Sequence, residues 1–316
     1  MLTLDGNTLR WQDVVAVARG GVQAALSPDA RARMLVSRKV VEDHIAAGDV
    51  VYGVTTGFGK FAQIAIPPDK RLELQKNLVR SHSAGVGEPF GRDVVRAMLL
   101  LRANALAKGA SGVRPEVADT LLAMLNGGVH PIVPQIGSLG ASGDLAPLAH
   151  LALVLIGEGE AEFNGARMSG ADAMQKAGVR PLELQAKEGL ALLNGTQGMS
   201  ALAVMLRADG GDLCKLADLA GALSIDATLS SYVPCDEAIH RLRPYAGIAW
   251  LYVLHFHCGN KPLQSAKEKL LRKSPCVFSY AVPPVFEKHL PCSKIGQGFP
   301  RVSKVKVGFA VAFTLE

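Results

Sequence analysis

Apolar residues recur three and four positions apart along much of the chain up to Thr228, the spacing that lines one face of a helix. Ser27-Pro28-Asp29 supplies a helix start, with a capping hydroxyl and a proline at the first helical position, and helical spacing continues to Ala47. The same pattern predicts helices over Pro68 to His82, Gly91 to Lys108 and Arg114 to Leu125. Leu145 to Gly157, the longest apolar run at thirteen residues, is too short to span a bilayer and suits a buried helix. Glu160 to Met168 reads as a hairpin turning at Asn164-Gly165. From Gly195 to Thr228 a long helical pattern with internal glycines resembles one helix of a bundle. The expected fold class is therefore mainly α, with glycine-rich loops between the helices.

Composition changes this picture mainly at the carboxyl end. The 316 residues are 49% hydrophobic and 20% charged, ordinary for a globular chain with a sizeable core. The net charge of +6 suggests an anionic partner only until it is divided along the sequence. Residues 249–316 hold ten Lys and Arg against three Glu, whereas residues 1–248 hold 24 basic against 25 acidic residues. The tail also carries three of the five cysteines and six of the ten phenylalanines, and prolines break its helical periodicity. Either a second small domain or a reading-frame slip accounts for such a break. Neither a nucleic-acid module nor a metal-ligand spacing of cysteines is visible. The start, Met1 to Arg10, lacks the basic and apolar regions of a signal peptide, so a cytoplasmic protein with no membrane partner is expected.

Candidate chemistry concentrates in one loop, Pro131 to His150. Glycines at 137, 140 and 143 permit tight turns, and Asp144 is a good N-cap for the apolar helix that follows. A glycine loop feeding a helix N-terminus suits an anion, and an ordinary loop with a cap is an equal alternative. Two familiar motifs fail. Gly140-Ala141-Ser142-Gly143-Asp144 lacks the last glycine of a nucleophile elbow, and Gly59-Lys60 lacks the first glycine and the hydroxyl of a phosphate loop.

The run Gly137-Ser-Leu-Gly-Ala-Ser-Gly-Asp-Leu-Ala-Pro-Leu-Ala149 closely resembles the signature of the aromatic amino acid ammonia-lyases, the histidine/phenylalanine ammonia-lyase family. Three more segments match in order. They are Tyr52-Gly-Val-Thr-Thr-Gly-Phe-Gly59, Asn77-Leu-Val-Arg-Ser-His-Ser-Ala-Gly-Val-Gly87 and Glu188-Gly-Leu-Ala-Leu-Leu-Asn-Gly-Thr-Gln197. A second Ala-Ser-Gly triplet, Ala110-Ser111-Gly112, lacks the flanking residues and matches a different family motif. The resemblance covers about residues 1–248. It breaks off within Arg243-Pro244-Tyr245-Ala246-Gly247, because Ile248 stands where the family has glutamine.

The resemblance implies the amino-terminal half of an ammonia-lyase fold. An electrophile-bearing helical domain over 1–195 leads into the start of a central helical bundle over 196–248, followed by the atypical tail 249–316. It implies that Ala141, Ser142 and Gly143 cyclise by themselves to a 4-methylidene-imidazol-5-one (MIO), with no metal. The glycine amide attacks the alanine carbonyl, and loss of two waters, one from that carbonyl oxygen and one from the serine hydroxyl, leaves a ring with an exocyclic methylene. Tyr52 is then expected as the catalytic base and Asn194 as a group holding the substrate or the ring. His82, in the Ser-His pair of histidine-specific members, is expected to bind the substrate ring. The implied reaction is elimination of ammonia from L-histidine to give urocanate in a homotetramer, with tyrosine or phenylalanine as alternative substrates. His44, His130 and His150 are expected to be structural. A family pattern that stops where composition changes favours the reading-frame slip and an impaired chain. The rival expectation is a non-catalytic fragment or interaction protein.

Overall fold

The computed structural model describes residues 1–57, 66–137 and 142–229, together with Ser231 and Leu242. The expectations about residues 249–316, about Ile248 and about Ala141 lie outside the described residues. The chain divides into two compact units, Met1–Gly210 and Gly211–Glu316.

The first unit starts with a short strand, β1 (Leu2–Leu4), parallel to β2 (Ala24–Leu26) and connected through α1 (Trp11–Ala18). The long helix α2 (Pro28–Ala47) begins as its sequence requires. Ser27 Oγ accepts the Ala30 amide at 3.1 Å, Pro28 occupies the first turn, and Gly48 ends the helix with φ +75°. α3 (Arg71–His82) starts three residues later than expected, because Pro68–Lys70 forms a single 3-10 turn. α4 (Arg92–Ala107) and α5 (Pro115–Gly127) form the centre, α4 packing on α1 and α5. Met98, Leu99, Leu100, Leu121, Leu125, Leu148 and Leu155 are fully enclosed there.

Around this centre lie α6 (Leu145–Leu155), α7 (Gly170–Lys176) and α8 (Glu188–Leu193), with α3, α6 and α8 packed on one another. The expected hairpin is present as β6 (Glu160–Phe163) and β7 (Ala166–Ser169). Asn164 and Gly165 have φ +50° and +80°, the positive pair that a tight two-residue turn needs. β6 also pairs with β4 (His130–Pro131), and β3 (Val86–Pro89) pairs antiparallel with β5 (Pro134–Ile136). α9 (Gln197–Ala227) is the long helix expected near the end of the pattern. Its first turns belong to the first unit, where Arg207 stacks over Trp11 and Asp209 accepts two bonds from Arg19. The second unit contains the remainder of α9, stitched by the Lys215–Asp212 pair. Among the described residues the helical stretch Glu188–Ile225 is long and apolar enough, by length and composition, to cross a membrane.

Candidate active site

The turn carrying Ser142 is held at both ends by the segment that follows His82. Before the turn, β5 pairs with β3, and Gly137 closes tightly on Gly85. A Cβ on Gly137, whose φ is +134°, would stand 2.9 Å from the Gly85 Cα. After the turn, His150 on α6 accepts the Gly85 amide at its Nε2, 3.1 Å away. Burial lowers the pKa of His150, so the ring is neutral at pH 7 and carries its proton on Nδ1. The contact His150 makes fixes α6 against the His82 segment.

Within the turn, Ser142 Oγ is buried and has no hydrogen-bond partner among the described residues. Gly143 has φ +83°, a conformation that favours glycine. Asp144 is only 2% exposed and precedes α6, as expected of an N-cap, and its carbonyl accepts the Leu148 amide at 3.0 Å. Its side chain departs from that expectation. It makes no capping bond to its own helix and instead accepts the Met199 amide at 3.0 Å, in the first turn of α9. A carboxylate there compensates the positive end of a second helix. Gly198 leaves room for it, since a Cβ would come within 3.0 Å of Asp144 Oδ1.

The Glu188-to-Gln197 motif builds the facing wall. Glu188 is fully buried and receives the backbone amide, Nε and Nη2 of Arg114 and the Gln185 amide. Gly189 donates its amide to the buried Gln75 at 2.9 Å. Asn194 ends α8 as an exposed residue with φ −85° and ψ 103°. Its carbonyl accepts Arg102 Nη2 at 3.0 Å, and Arg102 Nη1 donates to Gln197 Oε1 at 2.6 Å. These contacts bring Ser142, Gly143 and the Asn194 turn to the start of α9.

His82 occupies the last turn of α3, with Nδ1 2.9 Å from the Leu78 carbonyl and 3.1 Å from Ser81 Oγ. A carbonyl only accepts, so Nδ1 carries a proton, and in the neutral tautomer Nε2 is the acceptor. Tyr52 is 59% exposed on the turn 51–57. The turn is set beneath it by Thr55 and Thr56, both buried. Thr55 Oγ1 accepts the Val51 amide at 2.8 Å and donates to the Asp49 carbonyl at 2.5 Å, and Thr56 Oγ1 accepts the Gly53 amide at 3.3 Å.

The second Ala-Ser-Gly triplet is engaged elsewhere. The Gly112 amide donates to Ser37 Oγ at 2.8 Å, its carbonyl accepts Arg38 Nη1, and a Cβ would come within 2.5 Å of Val41. It packs a turn on α2. Sequence reasoning missed Arg102, Gln197 and the reach of the Asp144 side chain to α9. The available signal was an arginine at an inward position of the apolar α4 pattern. Among the described residues no group of His, Cys, Asp or Glu is arranged to hold a metal ion.

This mostly helical frame agrees with the comparison with known proteins. The chain belongs to the aromatic amino acid lyase family, whose sequence model matches residues 9–251. More narrowly, it is similar to the histidine ammonia-lyase of Gloeobacter violaceus (strain ATCC 29082 / PCC 7421), with 57% identity over 246 residues, 78% of this chain and 48% of that protein. Among solved structures it resembles histidine ammonia-lyase from Trypanosoma cruzi, with 39% identity and a TM-score of 0.74 over 80% of this chain and 49% of the other. Tyrosine aminomutase from Streptomyces globisporus is similar at 38% identity and the same TM-score of 0.74, over 80% and 48%. The chain therefore spans about half the length of the relatives it matches.

Proposed function

We propose that this chain is the electrophile-bearing half of a histidine ammonia-lyase, with an MIO formed from Ala141, Ser142 and Gly143, that converts L-histidine to urocanate and ammonia. The observation that carries the reading is Ser142 Oγ, buried without a partner among the described residues. A buried, unsatisfied hydroxyl costs about 1–3 kcal/mol, and its departure as water removes that cost. Gly143 fits the same chemistry, since it has no side chain to obstruct attack by its amide and its φ of +83° suits the bend. The MIO supplies an electrophilic methylene for the substrate amine.

The other roles fall to side chains of this chain. Tyr52 takes the β-proton, the C–H electron pair forms the new Cα–Cβ double bond, and the C–N pair leaves with nitrogen. Asn194 holds the reacting end of the amino acid. His82 offers the Nε2 lone pair to the imidazole N–H of the substrate. A tyrosine hydroxyl can donate to the same nitrogen, and the similarity to a tyrosine aminomutase favours that second reading; a phenyl ring has no such donor. In this reading residues 1–195 form the electrophile-bearing domain and 196–248 begin the bundle, with 249–316 apart from both. The protein works in the cytoplasm as a homotetramer.

Peptide mass analysis of the folded chain tests the reading. The peptide with Ser142 is expected to be lighter by two waters and the peptide with Ser111 unchanged, with Ser142→Ala abolishing the loss. Dehydration at Ser111, or at neither peptide, overturns it.

A further inference from the structure

Arg102 is 5% exposed on α4, and no carboxylate among the described residues pairs with it. Burying a guanidinium is costly unless its hydrogen bonds are well placed. Burial draws its pKa down to about 10, which still leaves it charged at neutral pH. Two contrasting sites show the usual solution, since Arg114 has Glu188 and Arg38 has Glu42. Arg102 instead places its planar fork across the break between α8 and α9, with Nη2 on the Asn194 carbonyl and Nη1 on Gln197 Oε1. Gly195 lies directly against it, because a Cβ there would fall 2.2 Å from Nη1. From the other side Asp144, next to Gly143, grips the Met199 amide. One short stretch, 194–199, is therefore clamped between a buried cation and a buried carboxylate.

The geometry points to Arg102 as a positioning residue that sets the Asn194–Gln197 turn against the Ser142–Asp144 turn, so that cyclisation at Ser142 and placement of Asn194 both depend on its two-pronged grip. This rests on the function proposed above. A lysine keeps the charge and loses the fork, since one ammonium cannot reproduce two parallel donors.

The test uses the full chain and the variants Arg102→Lys, Gln197→Ala and Arg38→Gln. It follows the fraction of Ser142 peptide that has lost two waters, beside helix content and melting midpoint. Arg102→Lys is expected to slow dehydration at least tenfold with helix content retained. Gln197→Ala, at a half-buried site, is expected to slow it severalfold with the melting midpoint little changed. Arg38→Gln, whose contacts lie elsewhere, is expected to lower the midpoint and leave dehydration complete. Wild-type dehydration in folded Arg102→Lys and Gln197→Ala overturns the assignment. Should Arg102→Lys fail to fold, Gln197→Ala decides alone. A wild-type chain that is never dehydrated overturns the underlying function, a result distinct from loss in the variants only.

Discussion

His130 shows how burial and neighbouring charge give a single side chain a measurable pH signature. It is 8% exposed, its Nε2 lies 3.2 Å from Arg96 Nη1, and its Nδ1 has no partner among the described residues. Burial first, then the cations Arg96 and Arg92, lower its pKa to about 4, with Glu162 opposing. In the unfolded chain the ring has an ordinary pKa of about 6.5. Between these values the unfolded state binds more protons, so this stabilisation is complete above about pH 6.5 and is lost as pH falls through about 4. The full effect is on the order of 3 kcal/mol, taking ~1.4 kcal/mol per pKa unit. Urea midpoints measured from pH 7.5 down to 4.5 are expected to fall more steeply for wild type than for His130→Gln; coincident slopes would refute this. At this scale the sequence offers candidates wherever a motif surrounds the residue, as at Ser142 and Asn194, whose roles are those proposed above. It was silent on Arg102 and on Asp144, because their partners stand 92 and 55 positions downstream and no local spacing encodes such contacts.

Elements were easier to read than contacts. Helical spacing marked α2, α4, α5 and α9 to within a few residues, and Asn164-Gly165 marked the hairpin, because caps, periodicity and turn dipeptides are local signals. The strands β1, β2, β3 and β5 were not foreseen. Each has only three or four residues and exists through pairing with a distant partner, which leaves too little alternation to detect. The short helix α8 depends similarly on tertiary anchoring, through Glu188. Glu188→Ala strips one acceptor from four donor groups and leaves the Arg114 guanidinium without its acid. The expected loss is about 3 kcal/mol, at the low end for a broken buried pair, because the Arg114 side chain is 27% exposed and regains water. Glu188→Gln keeps an acceptor oxygen and is expected to lose less. Chemical denaturation of both variants checks the order, and an equal loss would count against it.

For the whole molecule, the fold class and family were legible because four motifs fall in order over residues 52–197, and the family match over 9–251 agrees with them. The long helix raises a question of association. Within the second unit Leu213, Leu216 and Leu223 are 65%, 48% and 47% exposed. Their spacing of three and seven residues is that of a coiled-coil seam. If the proposed homotetramer forms through this stripe, Leu213→Lys with Leu216→Lys shifts the mass measured by light scattering toward single chains while helix content persists. An unchanged mass would exclude the stripe as the contact.

The grip of Arg102 also has a consequence in time. Its partner Gln197 is made 95 residues after it. At about 5–20 residues per second a nascent chain waits roughly 5–20 s between the two. Until Gln197 has been added, the Arg102 guanidinium has only water and the Asn194 carbonyl to receive it, so burying α4 around a satisfied cation requires the start of α9 as well as the chain that precedes it.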